Sequence, residues 1–230
     1  MVEDDPVVRF ARDFSGNDTA LVERVRGFLA QPPAAKEDVG FYGVADFAPR
    51  TRCFLGAVNL LDLAGHLQSV EDKYTFEILH RWRSEGLVDP AAFPREADTV
   101  FGTILDEARI AAALADAESR AAFRDAVWPI YATATRQLES QINARGRTLL
   151  SVDATPGDTL FFALVDDATA QRWRDTALSE EAGYRAGVRS VMWDRFWPHL
   201  LSSLGQATIE DFSRFPPGVD VRSDTIPFAP

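Results

Sequence analysis

The sequence predicts an α+β fold that is predominantly α-helical, a helical core carrying a small antiparallel β-sheet of about two or three strands. Three observations carry that expectation. Apolar residues recur at helical spacing through most of the chain from residue 17 to residue 145. The pattern then changes to short apolar runs separated by a Pro-Gly step, which reads as a hairpin. Finally, the 230 residues are 46% hydrophobic and include sixteen Phe and five Trp. That is enough bulk for a core without disulfide or metal staples. The length fits one globular domain over residues 1–230, with a helical block at about 51–146. A β-hairpin with C-terminal helices follows at about 147–215, and an extended tail at 216–230.

Taken in order, the chain begins acidic. Asn17, Asp18 and Thr19 then offer capping side chains to a helix whose apolar face is Leu21, Val22, Val25, Phe28 and Leu29. Gln31, Pro32 and Pro33 stop it. Residues 39–44 are aromatic and β-branched and read as a strand. Helices are expected over 52–68, over 72–85 with Gly86 closing it, over 98–116 and over 119–145. Pro129 kinks or restarts the last of these, and Gly146 is placed to cap it. Strands are expected at 148–153 and 159–165. The second is apolar on both faces and should be covered on both. Asp166 or Asp167 can cap a helix running through Leu178, followed by an amphipathic helix over 191–204 and a short one over 209–215.

The formal net charge is −11. Such a field opposes nucleic acids and anionic membranes and suits a basic protein partner. No apolar run is long enough to span a bilayer. The first residues lack the basic start and apolar centre of a secretory signal, and the single cysteine, Cys53, cannot close an intramolecular disulfide. A cytoplasmic protein is the expectation.

Helix 52–68 is apolar nearly all round, which places it at the centre of the fold. Its polar exceptions before Gln68 are Asn59, Asp62 and His66, spaced i, i+3 and i+7 on one stripe. On a continuous helix Asp62 can hydrogen-bond His66 one turn on, fixing its tautomer and raising its basicity. Asn59 would then serve as an orienting or oxyanion-binding donor, completing a general acid–base site. A solvent-facing strip or a buried structural network fits the same three residues.

Other candidates are weaker. Cys53 near a helix start could be a reactive thiol, and Arg50 with Arg52 could hold an anion there. Glu77 and His80 have the spacing of a di-iron pair but fall on the polar side of their helix, as does His199 on its own. The run from Asp13 to Asp18 begins like a calcium loop but lacks the required glycine and glutamate. No nucleophile elbow, phosphate loop or Cys-x-x-Cys pair occurs. No cofactor and no metal are expected. The functional expectation is a noncatalytic binding protein of inhibitor, immunity or regulatory type engaging a basic protein partner. The alternative is a small-molecule enzyme using Asn59, Asp62 and His66.

Overall fold

A computed structural model of the chain describes residues 5–40, 46–71, 81–82, 85–87, 89, 118, 122, 133, 135–154, 159–181 and 184–191. The chain divides into two compact units. One comprises Met1–Ser69, Arg147–Val191 and Pro227–Pro230, and the other Val70–Gly146 and Met192–Ile226.

The first unit opens with a helix ahead of the one the sequence announces. Helix α1 (Pro6–Phe14) starts with proline at its first position, where the missing N–H costs nothing, and Asp5 caps it by accepting from the Val7 amide at 2.8 Å. Helix α2 (Thr19–Ala30) is capped by Asp18, whose carboxylate accepts from the Ala20 and Leu21 amides. It ends at Gln31, before the two prolines. A four-residue helix, α3 (Lys36–Val39), follows. Helix α4 (Pro49–Leu63) buries nine of its residues, among them Phe54, Leu55, Val58 and Leu61, and packs against α1, α2 and α3.

The end of α4 departs from the expected span of 52–68. Gly65 adopts φ +76°, the Gly65 amide donates to the Asp62 carbonyl and the His66 amide donates to the Leu61 carbonyl. These two bonds make a Schellman closure, so the chain leaves the helix three residues before His66 and enters strand β1 (Gln68–Glu71) at once.

The sheet overturns the expectation of two or three strands. Strands β1, β2 (Thr148–Asp153), β3 (Thr159–Val165), β4 (Thr176–Glu181) and β5 (Tyr184–Ser190) form one antiparallel sheet of order β1-β3-β2-β5-β4. The β2–β3 hairpin lies at the expected residues. Helix α5 (Asp167–Trp173) is capped by Asp166 but stops five residues short of Leu178, because Asp175 turns the chain at φ +59° into β4. Of the strand expected at 39–44, Val39 ends α3 and Gly40 sits at φ +82°, and the remaining residues lie outside the described ones. The helices expected at 98–116 and 209–215 also lie outside them, as does the one expected at 191–204 beyond Val191.

Cross-strand neighbours build the core face of the sheet. Leu150 stands opposite Ala163, and Val152 is flanked by Phe161 and Val188. These side chains join Phe10, Val25, Phe54, Leu61 and Trp173 in one buried cluster. Phe10 anchors an aromatic group with Phe14, Phe54 and Trp173, at ring separations between 4.5 and 6.1 Å. Asp13 ties α1 to α5 by accepting from the Trp173 indole N–H at 2.7 Å and from Arg172. On the other face of the sheet, Leu149, Ser151, Phe162 and Arg189 are buried too, matching the expectation for a run apolar on both sides.

In the second unit, residues 135–143 are helical and bury Thr135, Leu138 and Ile142. Gly146, at φ +67°, follows that helix. Arg145 donates to the Gly86 carbonyl at 2.6 Å, and Trp82 is fully buried. Among the described residues no helix is long and apolar enough to cross a membrane.

Candidate functional site

The three residues of the polar stripe have separate local roles. The Asn59 amide donates to the backbone carbonyls of Asp38 at 3.2 Å and Glu37 at 3.4 Å, at the end of α3. Asp62 accepts from the Ser69 hydroxyl at 3.1 Å. His66 lies past the closure of α4, in the turn that leads to β1, so the one-turn spacing to Asp62 does not translate into a shared helix face. Asn59 and Asp62 remain neighbours on α4, both half-buried.

Cys53 is buried within α4, and its thiol donates to the Phe28 carbonyl at 3.0 Å. Burial pushes its pKa up and the Asp5 carboxylate adds to this, outweighing the opposing pull of Arg50 and Arg52. The thiol is therefore held protonated as a hydrogen-bond donor. Arg50 pairs with Asp5 at 3.0 Å, and Arg52 donates to the Pro33 carbonyl at 3.3 Å. The first turn of α4 already has an anion: the Ala48 amide donates to the Glu181 carboxylate at 2.8 Å. No group of three or more His, Cys, Asp or Glu side chains that could hold a metal occurs among the described residues. Glu77, His80 and His199 lie outside the described residues.

Two features escaped the sequence reading. The first is a polar group on the second face of the sheet. Arg189, paired across the ladder with Ser151, forms an ion pair with Asp153 at 2.6 Å, and the Ser151 hydroxyl lies 3.4 Å from the same carboxylate. A buried guanidinium needs such a partner to offset its lost hydration.

The second is a groove open to solvent, of about 480 Å³, between the C-terminal half of α2 and the segment that follows it. Phe28, Pro32 and Pro33 give it apolar walls, and Arg24 and Asp38 contribute opposite charges. The sequence offered one signal. Gln31, Pro32 and Pro33 read only as a helix stop, but Gly56 stands inside an otherwise apolar helix, where glycine marks a close approach of another segment. Phe28 and Pro33 make that approach. A Cβ on Gly56 would fall 2.8 Å from the Phe28 ring and 3.2 Å from Pro33 Cγ.

Among the described residues, the fold and the groove together define an α+β protein with a five-stranded antiparallel sheet, helices packed on its core face, and an open apolar groove beside the second helix. No protein-family model, no curated protein and no solved structure matches the chain.

Proposed function

We propose that this chain is a noncatalytic cytoplasmic binding protein that takes an extended, basic segment of a partner protein into the groove beside α2. The observation that carries the reading is the groove's make-up: apolar walls of Phe28, Pro32 and Pro33, with the Asp38 carboxylate on the lining and the exposed Glu37 next to it. Apolar contact supplies affinity, the Asp38 carboxylate offers a partner for a cationic side chain, and Arg24 on the same lining is met by an acceptor of the bound segment. The net charge of −11 acts in the same direction by steering a basic partner toward the chain. An open groove suits an extended peptide better than a small ligand, since sites for small ligands enclose most of the ligand surface. A single buried cysteine fits a reducing compartment.

The acid–base reading of Asn59, Asp62 and His66 gains no support of the same kind. Asn59 and Asp62 are engaged with backbone and Ser69, and none of the three lines the groove.

The test is retention of native-lysate proteins on the immobilised chain at low and high salt, in parallel with Asp38→Lys. A basic protein held by the wild type at low salt, released by high salt and not held by Asp38→Lys is the expected result. Equal retention by the two forms, or no salt-sensitive retention at all, would overturn the proposal.

A further inference from the structure

We infer that Asn59 and Gly56 are positioning residues for the groove, holding its wall and floor from behind without contacting the bound segment. The inference rests on the reading of the groove as a docking surface. Arg52, Cys53, Gly56 and Asn59 fall along one side of α4, at helical spacings of one, four and seven residues. Each of them meets α2 or the segment between α2 and α4. Arg52 holds the Pro33 carbonyl and Cys53 holds the Phe28 carbonyl. Gly56 lets the Phe28 ring and Pro33 rest against the helix backbone. Asn59 holds the Asp38 and Glu37 carbonyls. Phe28, Pro33 and Asp38 all line the groove, so the side that faces a partner is set by the side that faces α4.

Asn59 is the most telling position of the four. Short helix α3 has little cohesion of its own, since a single turn leaves most of its carbonyls without helical partners. Two of those carbonyls are satisfied by the Asn59 amide. The same side chain also lies close against Gly40, where a Cβ would fall 2.8 Å from Asn59 Oδ1. In contact with both Gly40 and the α3 carbonyls, Asn59 determines where the Asp38 carboxylate stands. A partner's cation would then be selected by a carboxylate whose place is fixed by a residue it never touches.

The test uses Asn59→Asp, which keeps the shape of the side chain but replaces its donor with a second acceptor facing two carbonyl oxygens. Asp62→Asn, on the same helix and outside the groove, is the control. The probe is a capped tetrapeptide alternating lysine and leucine, titrated into the full-length chain and followed by amide chemical shifts. Hydrogen exchange is measured at the Asp38 amide, which donates to the Ala35 carbonyl at 3.2 Å. Expected are faster exchange at Asp38 in Asn59→Asp and probe binding weaker by roughly threefold to tenfold, the equivalent of one lost hydrogen bond. The melting temperature should fall by only a few degrees, matching the hydrogen bonds lost at α3, and Asp62→Asn should bind the probe as the wild type does.

Exchange and binding both unchanged in Asn59→Asp would overturn the positioning role. Faster exchange with unchanged probe affinity would overturn it too, leaving Asn59 as a scaffold residue only. If the wild type shows no probe-dependent shifts in the groove, the docking reading itself fails. The exchange data then report separately whether Asn59 secures α3. Gly56→Ala gives an independent check. Its methyl group must displace Phe28 and Pro33, so probe affinity should drop even though alanine favours the helix.

Discussion

At the level of single residues, the polar groups that look most like chemistry are occupied with holding backbone in place. Cys53 illustrates the principle. Near a helix start and preceded by Arg50 and Arg52, it has the sequence setting of an activated thiol. Burial reverses that, and its pKa is raised, first by desolvation and then by the Asp5 carboxylate. The expected consequence is inertness: alkylation of Cys53 by iodoacetamide at pH 8 should be roughly a hundredfold or more slower in the native protein than in denaturant, because reaction waits for local opening. Labelling at a rate near that of the unfolded chain would show that the thiol is accessible and ionised. The sequence exposed the stripe of Asn59, Asp62 and His66 but not its fate. Three spacings on an ideal helix say nothing about where the helix ends, and Gly65 ends it between Asp62 and His66. The carbonyls that Asn59 serves belong to a segment more than twenty residues upstream, and helical periodicity cannot point to them.

Among the elements, those read correctly were the ones whose periodicity was unbroken. The hairpin of β2 and β3 follows from two short apolar runs separated by a Pro-Gly step, and the cap of α2 at Asp18 from a short acidic side chain before an apolar helix face. Strand β4 was lost for a definite reason. A bulge between Ala177 and Ser179 makes Leu178 and Ser179 consecutive buried residues, Leu178 in the core and Ser179 bonded to the buried Thr51 hydroxyl. Two-residue alternation is destroyed at that point, and the segment reads as a continuation of α5. Strand β5 carries a glycine and two arginines and shows little strand character until Val188 and Ala186 are seen in the core. Glycines mark the element ends, and two of them should behave differently when replaced. Gly65→Ala meets no atom within 4 Å and should cost only the left-handed strain, about 1 kcal/mol. Gly40→Ala carries the same strain and also pushes Asn59 off the α3 carbonyls, adding roughly 1 to 2 kcal/mol for the lost hydrogen bonds. Urea denaturation of the two variants decides this. Equal losses would mean that Asn59 finds another way to hold α3.

For the whole molecule, the dominant quantity is charge, and it sets how stability should respond to pH and salt. The excess of carboxylates is divided between the sequences of both compact units. At pH 7 the chain carries −11 and repels itself, which weakens the compact state at low ionic strength. Lowering the pH toward the sequence pI of about 4.7 relieves that repulsion. The opposing effect comes from carboxylates that the fold uses as caps. The pKa of Asp166 is lowered, first by the Thr169 amide that donates to it at 2.8 Å. A carboxylate whose folded pKa is depressed contributes stability that is fully present above its unfolded value, about 3.9, and is lost as pH falls through the folded value. Asp166 therefore still caps α5 at pH 5, where self-repulsion is already reduced. The melting temperature at low salt should hold or rise from pH 7 to pH 5, fall below about pH 4, and fall less steeply there in Asp166→Asn, whose amide oxygen caps without titrating. Added salt should raise the melting temperature at pH 7 more than at pH 5, because screening acts on a repulsion that acid has not yet removed. A melting temperature that drops between pH 7 and pH 5 at low salt would show that self-repulsion does not govern the response of stability to pH.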